Sequence, residues 1–290
     1  MPLRESFKMI LILAALGCQQ TNAVAQHQER EVLIYNTSLG LITAGIGAII
    51  NKPQHSNWRK AFLKGAWQGS IGGFINYCGK KTLYQINQKQ DDFFAIPARI
   101  LHAAGNSIVE NAALNKPFLE NWHIDYGPAR VDFTLKGRFK VRFLPEIIYS
   151  TIKTAPYGKF DLRRSLTSGV LVFKTDNPLY SIGISHGRSV LYTTNRYLNP
   201  NQYQIIAHEY VHTYQFEDFQ VINAWLKPIQ EKVKSKSIRK IFSNYIYFDA
   251  PYVLPFYELE GRYPNNRYYK NFFEFEAQRF STNSQVNYRH

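Results

Sequence analysis

The chain predicts an α+β fold: a helical, glycine-rich N-terminal part followed by a region of short strands and two functional helices. Three features carry that expectation. Small residues recur at three- and four-residue spacing before residue 80, short β-type runs broken by Gly and Pro fill residues 122 to 194, and a capped helical pattern opens near Asn199. With 290 residues, 45% hydrophobic and 19% charged, the chain can bury a full core in one large or two modest domains. A disordered tail and a disulfide-stapled miniprotein are excluded, the latter because only two cysteines are present.

Taken in order, Arg4 and Lys8 precede the apolar run Met9 to Gly17, and Ala23-Val24-Ala25 follows as a small-residue cleavage site. This is the layout of a secretory signal peptide over residues 1–25, and it predicts export to the periplasm, cell envelope or medium. Ala15-Leu16-Gly17-Cys18 offers a competing lipobox-like signal with lipid anchoring at Cys18. Val32 to Ile50 and Ala61 to Gly79, joined by Asn51-Lys52-Pro53-Gln54, predict a helical hairpin whose glycines permit close approach. The first half is long enough to span a bilayer, but Asn36, Thr37, Ser38 and Thr43 dilute it, and a buried soluble hairpin is favoured. A third helix is expected from Phe93 to Leu114, with His102 as an ordinary packed or solvent-facing residue. Strand-like runs follow at 129–135, 139–143, 170–173, 180–184 and 189–194, which suggest an antiparallel or mixed sheet. Asn199 as N-cap and Pro200 at the first helical position then open a helix to about Phe219. A further helix from Gln220 is expected to break at Pro228, and a last one covers Asn271 to Phe280.

The chemistry is concentrated in His208-Glu209-Tyr210-Val211-His212, an H-E-x-x-H string inside a predicted helix. A spacing of four places both imidazoles on one face, one turn apart, where they can share one Zn²⁺. Glu209, beside the first histidine, can then reach a metal-activated water. The bland alternative is a pair of ordinary helix histidines and a solvated acid. A catalytic zinc needs a third protein ligand, for which Glu274, Glu276, Glu258 and Glu260 are all candidates. Gly183-Ile184-Ser185-His186-Gly187 fits G-x-S-x-G, yet strand residues follow it where a nucleophile elbow needs a helix, so a hairpin turn near His186-Gly187 explains it better. Cys78, in an apolar glycine-rich segment, is expected to be a structural thiol.

With Phe272-Phe273-Glu274-Phe275-Glu276-Ala277-Gln278 downstream, the sequence resembles the gluzincin-type zinc metallopeptidases, in which H-E-x-x-H is followed by a second helix carrying E-x-x-A-D or a close variant. The resemblance implies a zincin-like catalytic domain at 121–290, preceded by a helical region at 26–120. It implies Glu274 as third ligand beside His208 and His212, Ala277 as the small contact, and Gln278 where the family has Asp or Asn, orienting a histidine from behind. Helical geometry agrees for Glu274, Ala277 and Gln278 and turns Glu276 largely away. A phenol from Tyr257, Tyr263, Tyr268 or Tyr269 is a candidate to assist at an oxyanion. The activity implied is hydrolysis of a peptide or protein substrate with Glu209 as general base.

The net charge of +14 stays at +13 without residues 1–25, and Lys227, Lys232, Lys234, Lys236, Arg239 and Lys240 concentrate it between the two motifs. An anionic membrane or envelope surface is the partner this favours. Specific nucleic-acid binding is not expected, since no reading motif accompanies the charge. The rival class is a basic envelope-binding or membrane-surface protein whose zinc site is structural or vestigial.

Overall fold

The computed structural model describes residues 23–176, 182–195, 197, 201–256 and 271–282, with side chains from residue 28 onward. Residues 1–22, with the apolar run and Cys18, lie outside them, as do Asn199, Pro200, Glu258, Glu260, Tyr257, Tyr263, Tyr268 and Tyr269. The fold is α+β. Helices α1 (Ala23–Ile50), α2 (Trp58–Lys89) and α3 (Ala95–Ala113) come first, so the expected hairpin and third helix are present. The backbones of α1 and α2 touch through glycine. A Cβ on Gly40 would sit 2.3 Å from the Gly69 carbonyl oxygen, and one on Gly73 would sit 2.2 Å from that of Asn36. The segment Gln28–Ile50 has the length and mean hydropathy, 1.6, of a membrane span, a property that buried core helices and signal sequences share. Its polar residues Asn36 and Thr43 face inward, while Ile34, Ile42 and Ile50 face out.

Strands β1 (Asn121–Tyr126), β2 (Ala129–Thr134) and β3 (Phe139–Phe143) form an antiparallel sheet. After α4 (Glu146–Thr154) come β4 (Lys159–Phe160), α5 (Leu162–Ser168), β5 (Leu171–Thr175), β6 (Gly183–His186) and β7 (Ser189–Thr193). The second sheet has the order β4-β5-β7-β6, parallel only between β5 and β7, which leaves β6 at its edge. Strands β1 and β4 and helices α4 and α5 escape the sequence reading. The β6–β7 hairpin turns at Gly187, with φ +64°, so Ser185 lies in a strand and the G-x-S-x-G match is a turn.

Helix α6 (Gln202–Asp218) carries the H-E-x-x-H string, followed by α7 (Ile222–Glu231), α8 (Lys236–Asn244) and α9 (Phe272–Arg279). The cap of α6 is Asn201, whose side chain accepts from the Gln204 N–H, so the helix opens two residues later than expected. Nor does α7 break at Pro228. Proline leaves the Ala224 carbonyl without its helical donor, and the Asn51 side chain, arriving from the α1–α2 turn, donates to it at 2.8 Å. The main core runs continuously from Val32 on α1 through α2, α3, β5 and β7 to Tyr210 and Tyr214 on α6 and Phe280 beyond α9. The site helix is therefore clamped between the N-terminal helices and the second sheet.

Candidate metal centre

Helix α6 presents His208 and His212 one turn apart, and α9 lays Glu274 across them. Asn271 caps α9 by accepting from the Phe273 N–H at 2.8 Å. Glu274 thus sits in the first turn, where the helix dipole favours a carboxylate. Phe273 and the fully buried Ala277 seat α9 in the core, and the small Ala277 side chain allows the close packing that delivers Glu274.

The three candidate donor atoms converge. His208 Nε2 lies 3.2 Å from Glu274 Oε2 and 3.1 Å from His212 Nε2, and His212 Nε2 lies 3.5 Å from the same oxygen. Four ligands arranged tetrahedrally about zinc, at bond lengths near 2.0–2.1 Å, stand about 3.3 Å apart. The observed triangle has that size, and its N₂O donor chemistry suits zinc. Among the described residues, His208, His212 and Glu274 are the one group of His, Cys, Asp and Glu side chains placed to hold a metal. Their side chains are 11–15% exposed, so the triangle has an open side.

The tautomer of His212 is set from behind. Gln215 Nε2 donates to the Phe273 carbonyl and to Glu276 Oε2, both at 2.9 Å, which turns its amide oxygen toward His212. That oxygen accepts from His212 Nδ1 at 2.8 Å, leaving Nε2 to face Glu274. Burial works against a charged His212. The hydrogen bond to Glu274 and the charges of Glu209 and Glu274 outweigh it and raise its pKa to about 9. Burial likewise opposes ionisation of Glu274, but the two histidines hold its carboxyl well below the usual range.

Glu209 is buried, and loss of water pushes its pKa up against the lowering effect of His208 and His212. Its carboxylate rests against Gly183, the first residue of edge strand β6; a Cβ there would lie 2.6 Å from Glu209 Oε1. The metal triangle, the acid and the strand edge are thus neighbours.

Two side chains differ from expectation. Glu276 does not turn away: it is fully buried, paired with Lys80 Nζ at 2.9 Å and bonded to Asn36 and Gln215. Helix α9 packs against both α6 and α1, so its two sides are both interior. The residue behind His212 is Gln215 rather than Gln278, whose backbone carbonyl accepts from Phe280, Ser281 and Thr282. Gln215 lies three residues after His212, on the same helical face, and that spacing is the signal that would have found it.

A buried ion-pair network continues from there. Lys80 is also 2.6 Å from Asp218, Asp218 meets His102 at 2.9 Å, and Glu217 binds Arg99 at 2.6 Å. His102 is therefore a fully buried, ion-paired residue. Nothing in the composition marks these partners as a cluster, because they come from α2, α3 and the end of α6.

Compared with models of known families, with curated proteins and with solved structures, the chain matches none.

Proposed function

We propose that this protein is an exported zinc-dependent metallohydrolase that cleaves peptide bonds, with a zincin-like arrangement of α6, α9 and β6. The observation that carries the proposal is the His208–His212–Glu274 triangle, with edges of 3.1–3.5 Å, beside the buried acid Glu209. His208, His212 and Glu274 would hold the ion, which would supply Lewis acidity and lower the pKa of a water at the open position to about 7.

The chain's own residues supply the rest. Glu209, with its carboxyl pKa raised by burial, takes a proton at its carboxylate from the water that attacks the peptide carbonyl, and returns it to the amine nitrogen as the C–N bond breaks. Gln215 keeps His212 in the tautomer with Nε2 free, and Lys80 neutralises the Glu276 carboxylate that orients Gln215. Strand β6 lies at the edge of its sheet and offers backbone groups to an extended peptide, which would pass beside Glu209.

The test is cleavage of a peptide library with and without chelator. Wild type should cleave and stop when zinc is stripped, and Glu209→Gln should keep its zinc yet lose hydrolysis. Cleavage by Glu209→Gln at the wild-type rate would refute the role of this acid.

A further inference from the structure

The sheet β1–β3 is built inside out. The pairing register places His123, Asp125, Arg130, Asp132 and Arg142 on one face. That face is the interior one. Arg130, fully buried, pairs with Glu110 and Asp132; Asp125 meets Arg188 at 2.7 Å; Arg142 meets Asp132 at 2.7 Å. On the other face Trp122 of β1 packs against the main core, but Phe133, Phe139, Val141 and Phe143 of β2 and β3 are apolar and exposed, Phe139 by 69% and Val141 by 49%. Ordinary half-buried sheets alternate the other way, with the apolar side chains in the core. Lys136 and Arg138, both exposed in the β2–β3 turn, add positive charge at one end of this apolar face, and residues 133–143 contain no acid.

Helix α8 stands next to it. The Phe143 N–H donates to the Tyr245 carbonyl at 2.7 Å, and the Tyr247 N–H donates to the Phe143 carbonyl at 2.9 Å. Every residue from 229 to 243 is exposed, and α8 has no buried residue at all. Yet α8 is strongly amphipathic. Ile238, Ile241, Phe242 and Tyr245 share an arc of about 100°, opposite Lys236, Arg239 and Lys240. A helix of this kind on a globular protein turns its apolar stripe to the core; this one leaves it in the open.

We infer that the outer face of β2 and β3 and helix α8 form one docking surface for an anionic lipid bilayer. The apolar side chains would enter the boundary between headgroups and acyl chains, and the surrounding lysines and arginines would meet the acidic headgroups. Charge complementarity selects this occupant. A second copy of the same face would bring like charges together, whereas a bilayer containing acidic lipid accepts both the rings and the cations. The inference is independent of the metal site, since none of these residues touches the donor triangle.

The test uses the full chain carrying Val141→Cys, with Cys18→Ser and Cys78→Ala, labelled at residue 141 with an environment-sensitive fluorophore. Vesicles of phosphatidylcholine with about one third phosphatidylglycerol should shift its emission to the blue, while phosphatidylcholine alone should not. Exchanging Lys236, Arg239 and Lys240 for Gln should weaken that response roughly a hundredfold. An unchanged emission from protein that floats with the anionic vesicles would overturn the inference, because attachment would then run through another part of the chain. A concentration-dependent blue shift without vesicles would also overturn it and assign the face to a second copy.

Discussion

Replacing Gly183 with alanine tests how the proposed active site is assembled. A methyl group at this position would stand 2.6 Å from Glu209 Oε1 and 2.5 Å from Ile205 Cγ2. Ordinary contact begins near 3.4 Å, so the acid or the strand must give way by about 0.8 Å. Both obstacles sit on α6, which is held on its far side by buried Tyr210 and Tyr214 and cannot retreat as a unit. The part with freedom to move is the Glu209 side chain. A misplacement of about 1 Å in a reacting group costs roughly a hundredfold in rate, or about 2.7 kcal/mol of barrier. Gly183→Ala should therefore lower kcat/KM about a hundredfold while zinc content stays at wild type, because the atoms that the new methyl meets first belong to Ile205 and Glu209, not to His208, His212 or Glu274. Overpacking should add a stability loss of about 1–3 kcal/mol, read from urea unfolding. Full zinc with unchanged kcat/KM would refute the claim that Glu209 works from its place against β6.

Two further predictions concern what lies behind the triangle. Glu276→Ala removes one partner of a fully buried Lys80 and one acceptor of Gln215, so it should destabilise the fold by about 3–5 kcal/mol in urea and weaken zinc binding about 10- to 100-fold; unchanged values of both would contradict the support role. The second concerns pH. Burial pushes the Glu146 carboxyl up to about 8, and its Oε2 is buried without a hydrogen-bond partner. Its stabilising contribution is complete below the unfolded value near 4.5 and is lost as pH rises through 8. For Asp125, Glu217 and Asp218 burial also favours the neutral acid, but the adjoining cations outweigh it and hold these carboxyls low, so their contribution is present above about 4 and lost on acidification. Stability should thus fall on both sides of a mildly acidic optimum, and Glu146→Gln should flatten the decline toward pH 8. An identical decline in that variant would remove Glu146 from the account.

Much of this fold was legible because its signals are local. Glycine spacing announced the α1–α2 contact, and a four-residue histidine spacing defined the working face of α6. What escaped depended on three-dimensional context. Pro228 reads as a helix breaker until Asn51, far away in sequence, supplies the missing donor to Ala224. Glu276 reads as an outward acid on the assumption that α9 has one buried side, whereas Lys80 and Asn36 wait on the other. The alternation in residues 121–143 is regular, but periodicity gives a period and not a direction. It cannot say that the charged set faces in, where Asp125 lies between the cations of Arg130 and Arg188. For the same reason Gln215 was harder to find than the ligands it supports.

The central claim is that His208, His212 and Glu274 bind one zinc ion with an open coordination position. Elemental analysis combined with zinc X-ray absorption on the purified full chain tests it most directly. The account predicts one zinc per chain, bound by two imidazoles, one carboxylate and one light solvent atom, and lost in His208→Ala. Wild-type protein that stays free of zinc after incubation with the metal, or a His208→Ala variant that binds it equally well, would contradict it.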